Sequence, residues 1–228
     1  MRIEKFPHAF YDPSRRMGYL AHYYPWDAVK DGSLDKDLWR RESYSPEILN
    51  FKEGRDEDIK RFVVPFIELI HYALSCVQTN TAFLIPVPSS LASNDQNFSS
   101  RPRDKGIKGH RNRDNRNSVF CNLLNLHDDK LKVADILVRT RNKPEKETWD
   151  AARHAQSLSI REDGVVLPSS VSSPLVLVDD VTTNGGTLEG AKILLDRHYQ
   201  ASIIICTTLG ISRSPDQFVG LTSSNMKI

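Results

Sequence analysis

Apolar residues along this chain gather in two kinds of pattern, and their order predicts the architecture. Short continuous runs occupy residues 82–87, 175–178 and 201–208, each edged by proline or small polar residues, and such runs predict strands buried on both faces. Between them the period changes to that of a helix. Ile59, Phe62, Val63, Phe66, Ile67, Ile70, Leu74 and Val77 follow Asp56, which can cap them, while Pro65 marks a kink or a later start. Val119, Phe120, Leu123 and Leu124 predict a helix over 118–126, and residues 151–161 a connecting helix. Leu188, Ala191, Leu194 and Leu195 predict another after the second run, and residues 131–138 a further short strand. Strands that alternate with helices imply right-handed crossovers and a parallel sheet flanked by helices, an α/β fold.

The junction between the second run and its helix carries the densest chemistry. Asp179 and Asp180 stand where the strand should end, followed by Thr182, Thr183, Asn184, Gly185, Gly186 and Thr187. Glycines let backbone N–H groups approach an anion, hydroxyls add donors, and the helix that follows points its positive end at the same spot. A phosphate fits there. Two carboxylates would repel it but accept hydrogen bonds from neighbouring sugar hydroxyls, directly or with Mg²⁺, so the pair and the loop together describe a sugar phosphate. The spacing is neither Gly-x-x-x-x-Gly-Lys-Ser/Thr nor Gly-x-Gly-x-x-Gly, which argues against a nucleoside triphosphatase or a dinucleotide site. A metal-dependent nuclease or nucleotide hydrolase would gather further carboxylates and histidines than this pair.

Residues 176–187 resemble the phosphoribosyl pyrophosphate (PRPP) motif of type I phosphoribosyltransferases, an apolar run and then Asp-Asp-Val-x-Thr-Thr-Gly-x-Thr. Asn184 replaces a second Thr or Ser. The step Pro86-Val87-Pro88-Ser89-Ser90 is similar to the pyrophosphate loop of that family in the wording of its ComF-like branch. Lys105-Gly106-Ile107 resembles the Arg-Gly-Phe step of the same branch, but Lys108-Gly109 follows in place of Asn-Gln. Arg139-Thr140-Arg141 and Gln156-Ser157-Leu158-Ser159 parallel its basic pair and Gln-x-Leu-Ser step. The resemblance implies a type I phosphoribosyltransferase fold and transfer of phosphoribosyl to a nitrogenous base or related acceptor, with release of pyrophosphate. Asp179 and Asp180 would hold the ribose hydroxyls, residues 183–187 the 5′-phosphate, with Thr182 also binding PRPP, and Ser89 and Ser90 the pyrophosphate. Lys105, Lys108 and Arg111 would meet the leaving charge. Mg²⁺ is the implied cofactor, held mainly by the ligand and otherwise by Asp179 and Asp180; the family also admits homodimers.

Charge matters here through its placement. The chain of 228 residues has a net charge of +2, too small by itself to imply nucleic-acid binding. Between Arg101 and Arg116, however, seven basic residues face two acids. Residues 92–117 therefore read as a basic, flexible lid loop over the ligand, and residues 101–116 as a candidate nucleic-acid contact. His110 within it is a candidate acid or base by its ordinary pKa. Residues 1–50, rich in aromatics from Phe10 and Tyr11 to Tyr23, Tyr24 and Trp26, read as an extension or hood, against a phosphoribosyltransferase-like domain over 51–228. They suit packing on the core or a base-stacking surface. Cys76, Cys121 and Cys206 lack zinc spacing and read as buried thiols of a cytoplasmic protein, with no signal-like or membrane-length apolar segment. A second class of function stays open beside the enzyme. A regulator that binds PRPP or a nucleotide without turnover, acting through nucleic acid or a protein partner, suits the family's links to DNA uptake and phage defence.

Overall fold

Alternation along one strand sets the layers. In a computed structural model, which describes residues 3–90, 115–143, 149–161, 167, 171–200 and 203–221, strand β7 spans Leu175–Thr182. Its Val176 and Val178 join one buried cluster while Leu175 and Leu177 join another, the mark of a strand covered on both faces. Around it the sheet runs β1-β2-β8-β7-β3-β4, with β1 Phe10–Asp12, β2 Met17–Tyr23, β3 Ala82–Pro86, β4 Leu131–Val133 and β8 Ile204–Ser212. Every pairing in it is parallel except β1 with β2. The expected parallel sheet flanked by helices is thus the fold of this chain.

Helices cover each face. On one side lie α3 Ser45–Lys52, α4 Asp56–Arg61, α5 Val63–Cys76 and α6 Arg116–His127, whose Ile48, Ile59, Phe66 and Phe120 reach the Val176 face. Phe120 stands edge-on to Phe51 at 5.2 Å and to Phe66 at 5.1 Å, geometry that adds to the burial of the rings themselves. On the other side α8, Gly186–His198, buries Leu188, Ala191 and Leu195 against Leu177. The predicted helical stripe therefore faces the sheet. A short helix α7, Ala151–Gln156, lies against α8, and its Asp150 side chain accepts from the Arg153 N–H as cap.

Several expectations change in detail. The helix predicted from Asp56 is broken at Phe62 and restarts at Val63, because Pro65 lacks an N–H and its ring would meet the carbonyl a turn earlier. The strand predicted over 131–138 is two strands: after Leu131–Val133 the chain leaves the sheet, and β5 Leu137–Arg139 pairs antiparallel with β6 Leu158–Ile160. That second partner also ends α7 early, so residues 151–161 are not one helix. The first fifty residues do not stand apart from the sheet, since β2 pairs in parallel with β8 from Met17 to Tyr23. Their aromatic content hid a strand that buries Gly18 and Leu20 on one face and Ala21 and Tyr23 on the other. Two more helices, α1 Trp26–Lys30 and α2 Lys36–Arg41, follow it. Cys76 is exposed, while Cys121 and Cys206 are buried. Among the described residues, no helix is long and apolar enough to cross a membrane.

Candidate functional site

The acidic pair does not end β7 but lies within it, before Val181 and Thr182, with Asp179 and Asp180 9% and 5% exposed. Isolated buried carboxylates are costly, so each must find partners. Asp180 takes the Arg116 guanidinium, with Nε 2.7 Å from Oδ2 and Nη2 on the same oxygen, while its Oδ1 accepts from the Val181 N–H at 2.6 Å. Asp179 Oδ1 accepts from the Asp180 N–H at 2.9 Å and from Asn117 Nδ2 at 3.2 Å, and the same amide nitrogen donates to the Val87 carbonyl at 2.8 Å. Arg116 and Asn117 are the first two residues of α6. One turn of one helix therefore serves both carboxylates. These residues fall inside the stretch read as loop, where nothing in their local pattern marks a helix start.

Two carboxylates so close cannot ionise alike. Burial first, and then the Asp180 charge, push Asp179 up to about 7. Burial also works against the charge on Asp180, but Arg116 and then Lys52 outweigh it and hold that carboxyl below its usual range.

Beyond the pair, the loop turns into α8 through Gly185, whose φ of +80° is the left-handed conformation that glycine adopts freely. The Gly185 N–H donates to Thr182 Oγ1 at 2.9 Å and the Gly186 N–H to Asn184 Oδ1 at 3.1 Å. Asn184, the departure from the family wording, is here an internal brace of the loop. The N–H groups that follow in the first turn of a helix have no intrahelical partner and carry its positive end.

A cleft of about 700 Å³ opens over this loop, lined by Thr182, Thr183, Asn184, Gly186 and Thr187 on one side. Tyr23, Trp26, Lys30 and Lys52 approach from the N-terminal part, and Lys143, Trp149 and His154 from the segment around α7. Lys52 Nζ sits 5.3 Å above the Tyr23 ring, a cation–π contact that steadies it at the rim. Of the aromatics singled out in the first fifty residues, Tyr11, Tyr23 and Tyr24 are core, and Tyr23 and Trp26 also line the cleft. Neither Asp179 nor Asp180 lines it.

Ser89 and Ser90 follow β3, whose end lies beside Val178 in the middle of β7 through the Val87 N–H to Val178 carbonyl bond of 2.9 Å. Their position is fixed by backbone. The Ser89 carbonyl accepts from Arg139 Nε at 2.5 Å, and the Ser90 carbonyl from the Lys143 N–H at 2.9 Å. Arg139 is 2% exposed and donates through Nη1 to Ser157 Oγ at 2.8 Å. This arginine, read from the sequence as half of a basic pair, anchors the loop rather than facing solvent. The Ser89 hydroxyl is buried without a partner among the described residues, as is the Asn117 carbonyl oxygen. Buried polar atoms of that kind ask for a water or a ligand. Lys105, Lys108, Arg111 and His110, with the rest of residues 91–114, lie outside the described residues.

Solved structures offer distant likenesses. Two crystal forms of a hypoxanthine phosphoribosyltransferase from Staphylococcus aureus superpose with TM-scores of 0.40 and 0.38, at 13% and 12% identity. They cover 73% and 72% of this chain and 71% and 70% of theirs. A hypothetical protein from Neisseria gonorrhoeae with bound ppGpp aligns with a TM-score of 0.32 and 11% identity, over 75% of this chain and 91% of that one. No family model and no curated protein matches the sequence.

Proposed function

We propose that this chain is a phosphoribosyltransferase of type I kind that binds PRPP at the carboxyl ends of β3 and β7, its sequence motifs pointing to the ComF-like branch. The observation that carries it is the loop 182–187. Braced by its own side chains, it turns through a left-handed glycine into the amino end of α8 beside a cleft of about 700 Å³. Its hydroxyls and first-turn N–H groups suit the 5′-phosphate. Asp179 and Asp180 suit the ribose hydroxyls, and Ser89 and Ser90 the pyrophosphate, with Lys105, Lys108 and Arg111 assigned to the leaving charge by resemblance alone.

Transfer would displace pyrophosphate at ribose C1 by an acceptor nitrogen, with positive charge growing on the ring and negative charge on the leaving group. An ionised Asp180 close to the ring would favour the first, and lysines at the rim the second. For ribose hydroxyls to reach Asp180 Oδ2, Arg116 must leave it. Arg116 would then turn from Asp180 toward the pyrophosphate.

Mg²⁺ fits this donor set in a limited way. Among the described residues no cluster of three or more His, Cys, Asp or Glu is arranged for a metal; those that would hold it are Asp179 and Asp180, together with the oxygens of Ser89 and Asn117 that have no partner among the described residues. Mg²⁺ commonly takes most of its oxygens from phosphates and water, and two carboxylates suffice for that. When bound, the ion would neutralise charge on the pyrophosphate.

A second function has one specific observation in its favour. Arg116 and Asn117 already satisfy both carboxylates, as in a pocket that binds a phosphate compound without turning it over. Calorimetry with PRPP, with and without Mg²⁺, on the wild type and on Asp179→Asn/Asp180→Asn tests the site. Mg²⁺-dependent binding that the double variant loses supports it; equal binding by both removes the acidic pair from the account. Release of pyrophosphate with a panel of bases then separates enzyme from regulator.

A further inference from the structure

The phosphate loop has a neighbour that transfer at C1 does not call on. His154, on α7, is 2% exposed, and its Nδ1 is buried with no hydrogen-bond partner among the described residues. Its Nε2 faces the Thr187 hydroxyl oxygen at 3.4 Å, and both residues line the cleft. The fold is shaped to allow that approach. At Gly190, one turn along α8, a Cβ would stand 2.5 Å from His154 Cβ and 2.8 Å from the Ala151 carbonyl oxygen. Only glycine lets α7 come so near. Trp149 closes the other side, edge-on to the imidazole at 5.6 Å.

The protonation state follows from the surroundings. Burial, and after it the charges of Arg139 and Lys143, hold His154 down to about 4 against the weaker pull of Asp150, so the ring is neutral at physiological pH with a single N–H. A proton on Nδ1 would be an orphaned buried donor, the rarest kind of unsatisfied group. Nε2 would then have to accept the Thr187 hydroxyl proton, turning that proton away from any ligand. With the proton on Nε2 the imidazole donates to Thr187 Oγ1, and the hydroxyl hydrogen is left for an anion.

We propose that His154 is a positioning residue of the phosphate loop: its Nε2–H holds the Thr187 oxygen as acceptor, so that the Thr187 hydroxyl donates to the phosphate of a bound sugar phosphate. This rests on the loop 182–187 being a phosphate site. It adds a second element, α7, to a cup otherwise built from β7 and α8, and it assigns a use to the glycine at 190.

The probe is ribose 5-phosphate, titrated calorimetrically at neutral pH into the wild type, His154→Gln and His154→Asn, each also combined with Thr187→Val. Glutamine can place an amide donor where Nε2 lies, and its affinity stays within about twofold of wild type. Asparagine cannot, and binds about fivefold more weakly, the loss of one hydrogen bond. In the Thr187→Val background neither substitution has a further effect. Nitrogen chemical shifts of the wild-type imidazole, which need no variant to fold, report a neutral ring protonated on Nε2. Wild-type binding with no loss in His154→Asn, an undiminished loss in the Thr187→Val background, or a ring protonated on Nδ1 overturns the role of His154 and leaves the phosphate site standing. Failure of the wild type to bind ribose 5-phosphate overturns both.

Discussion

The acidic pair and the loop 182–187 are consecutive in sequence but opposite in condition. Asp179 and Asp180 are buried and held by Arg116 and Asn117 from α6, whereas residues 182–187 line an open cleft and are braced mainly by one another. The difference teaches that an exposed loop preserves its shape by local means, through Asx-type and hydroxyl bonds within reach of a few residues. A buried charge pair needs the rest of the fold, because only a distant element can bring a cation to it.

The largest effect that sharpens this contrast is on stability. Arg116→Gln leaves the Asp180 carboxylate buried beside Asp179 without its cation, and the expected loss is about 3 kcal/mol in denaturant unfolding. Thr183→Val, on an exposed loop residue, is expected to cost less than about 0.5 kcal/mol. Equal midpoints for the two variants would erase the distinction between pair and loop.

Next comes the contact that joins loop to α7. Gly190→Ala overpacks the crossing against backbone atoms, which cannot swing away, and should cost about 1–3 kcal/mol. It should also weaken ribose 5-phosphate binding, since His154 must retreat from Thr187. An alanine variant that melts and binds as wild type does would show the two helices free to separate.

Asp179→Asn is expected to act in the other direction. The folded pKa of Asp179 is raised from its ordinary 3.8 to about 7, so the folded state holds its proton more tightly than the unfolded chain does. Stability from this group is present at low pH and is lost as pH rises from about 4 through 7. Removing the ionisable group should therefore raise stability at pH 8 by about 1–2 kcal/mol while abolishing the proposed ribose contact. A variant less stable than wild type at pH 8 would mean that Asp179 is a net contributor when charged.

The smallest expected effect is a pH slope of opposite sign. Burial holds His22 down to about 4, helped by the neighbouring charge of His8, and burial with Arg139 and Lys143 does the same to His154. Both are neutral in the folded state and take up protons more readily when unfolded, so their stabilisation is complete above about 6.5 and falls away as pH drops toward 4. In the Asp179→Asn background, where the opposing carboxylate is gone, unfolding midpoints should decline across that window. Replacing His154 with Gln as well should flatten part of the decline.

How much of this was legible beforehand depends on the range of the interaction. Runs such as 175–178 and the stripe Leu188, Ala191, Leu194 and Leu195 reveal burial because period follows directly from backbone geometry. The strand of Met17–Tyr23 was missed, since its aromatics and Gly18 look as much like a surface as like a strand, and its partner β8 lies nearly two hundred residues away. The loop was legible as a motif. Its wall was not: Lys52, Tyr23, Lys143, Trp149 and His154 carry no shared spacing, and only the parallel sheet and the α7–α8 crossing assemble them.

By itself, then, the sequence determined the alternation of strand and helix, the threonine- and glycine-rich strand-to-helix loop of residues 182–187 and the presence of two adjacent carboxylates, all properties written in short range. Tertiary structure alone decided that those carboxylates lie within the strand and are matched by Arg116 and Asn117, that Arg139 is buried as an anchor, and that His154 stands against Thr187. Burial and charge pairing arise between segments far apart in the chain, and no local pattern encodes the energy of a contact with a residue sixty positions away.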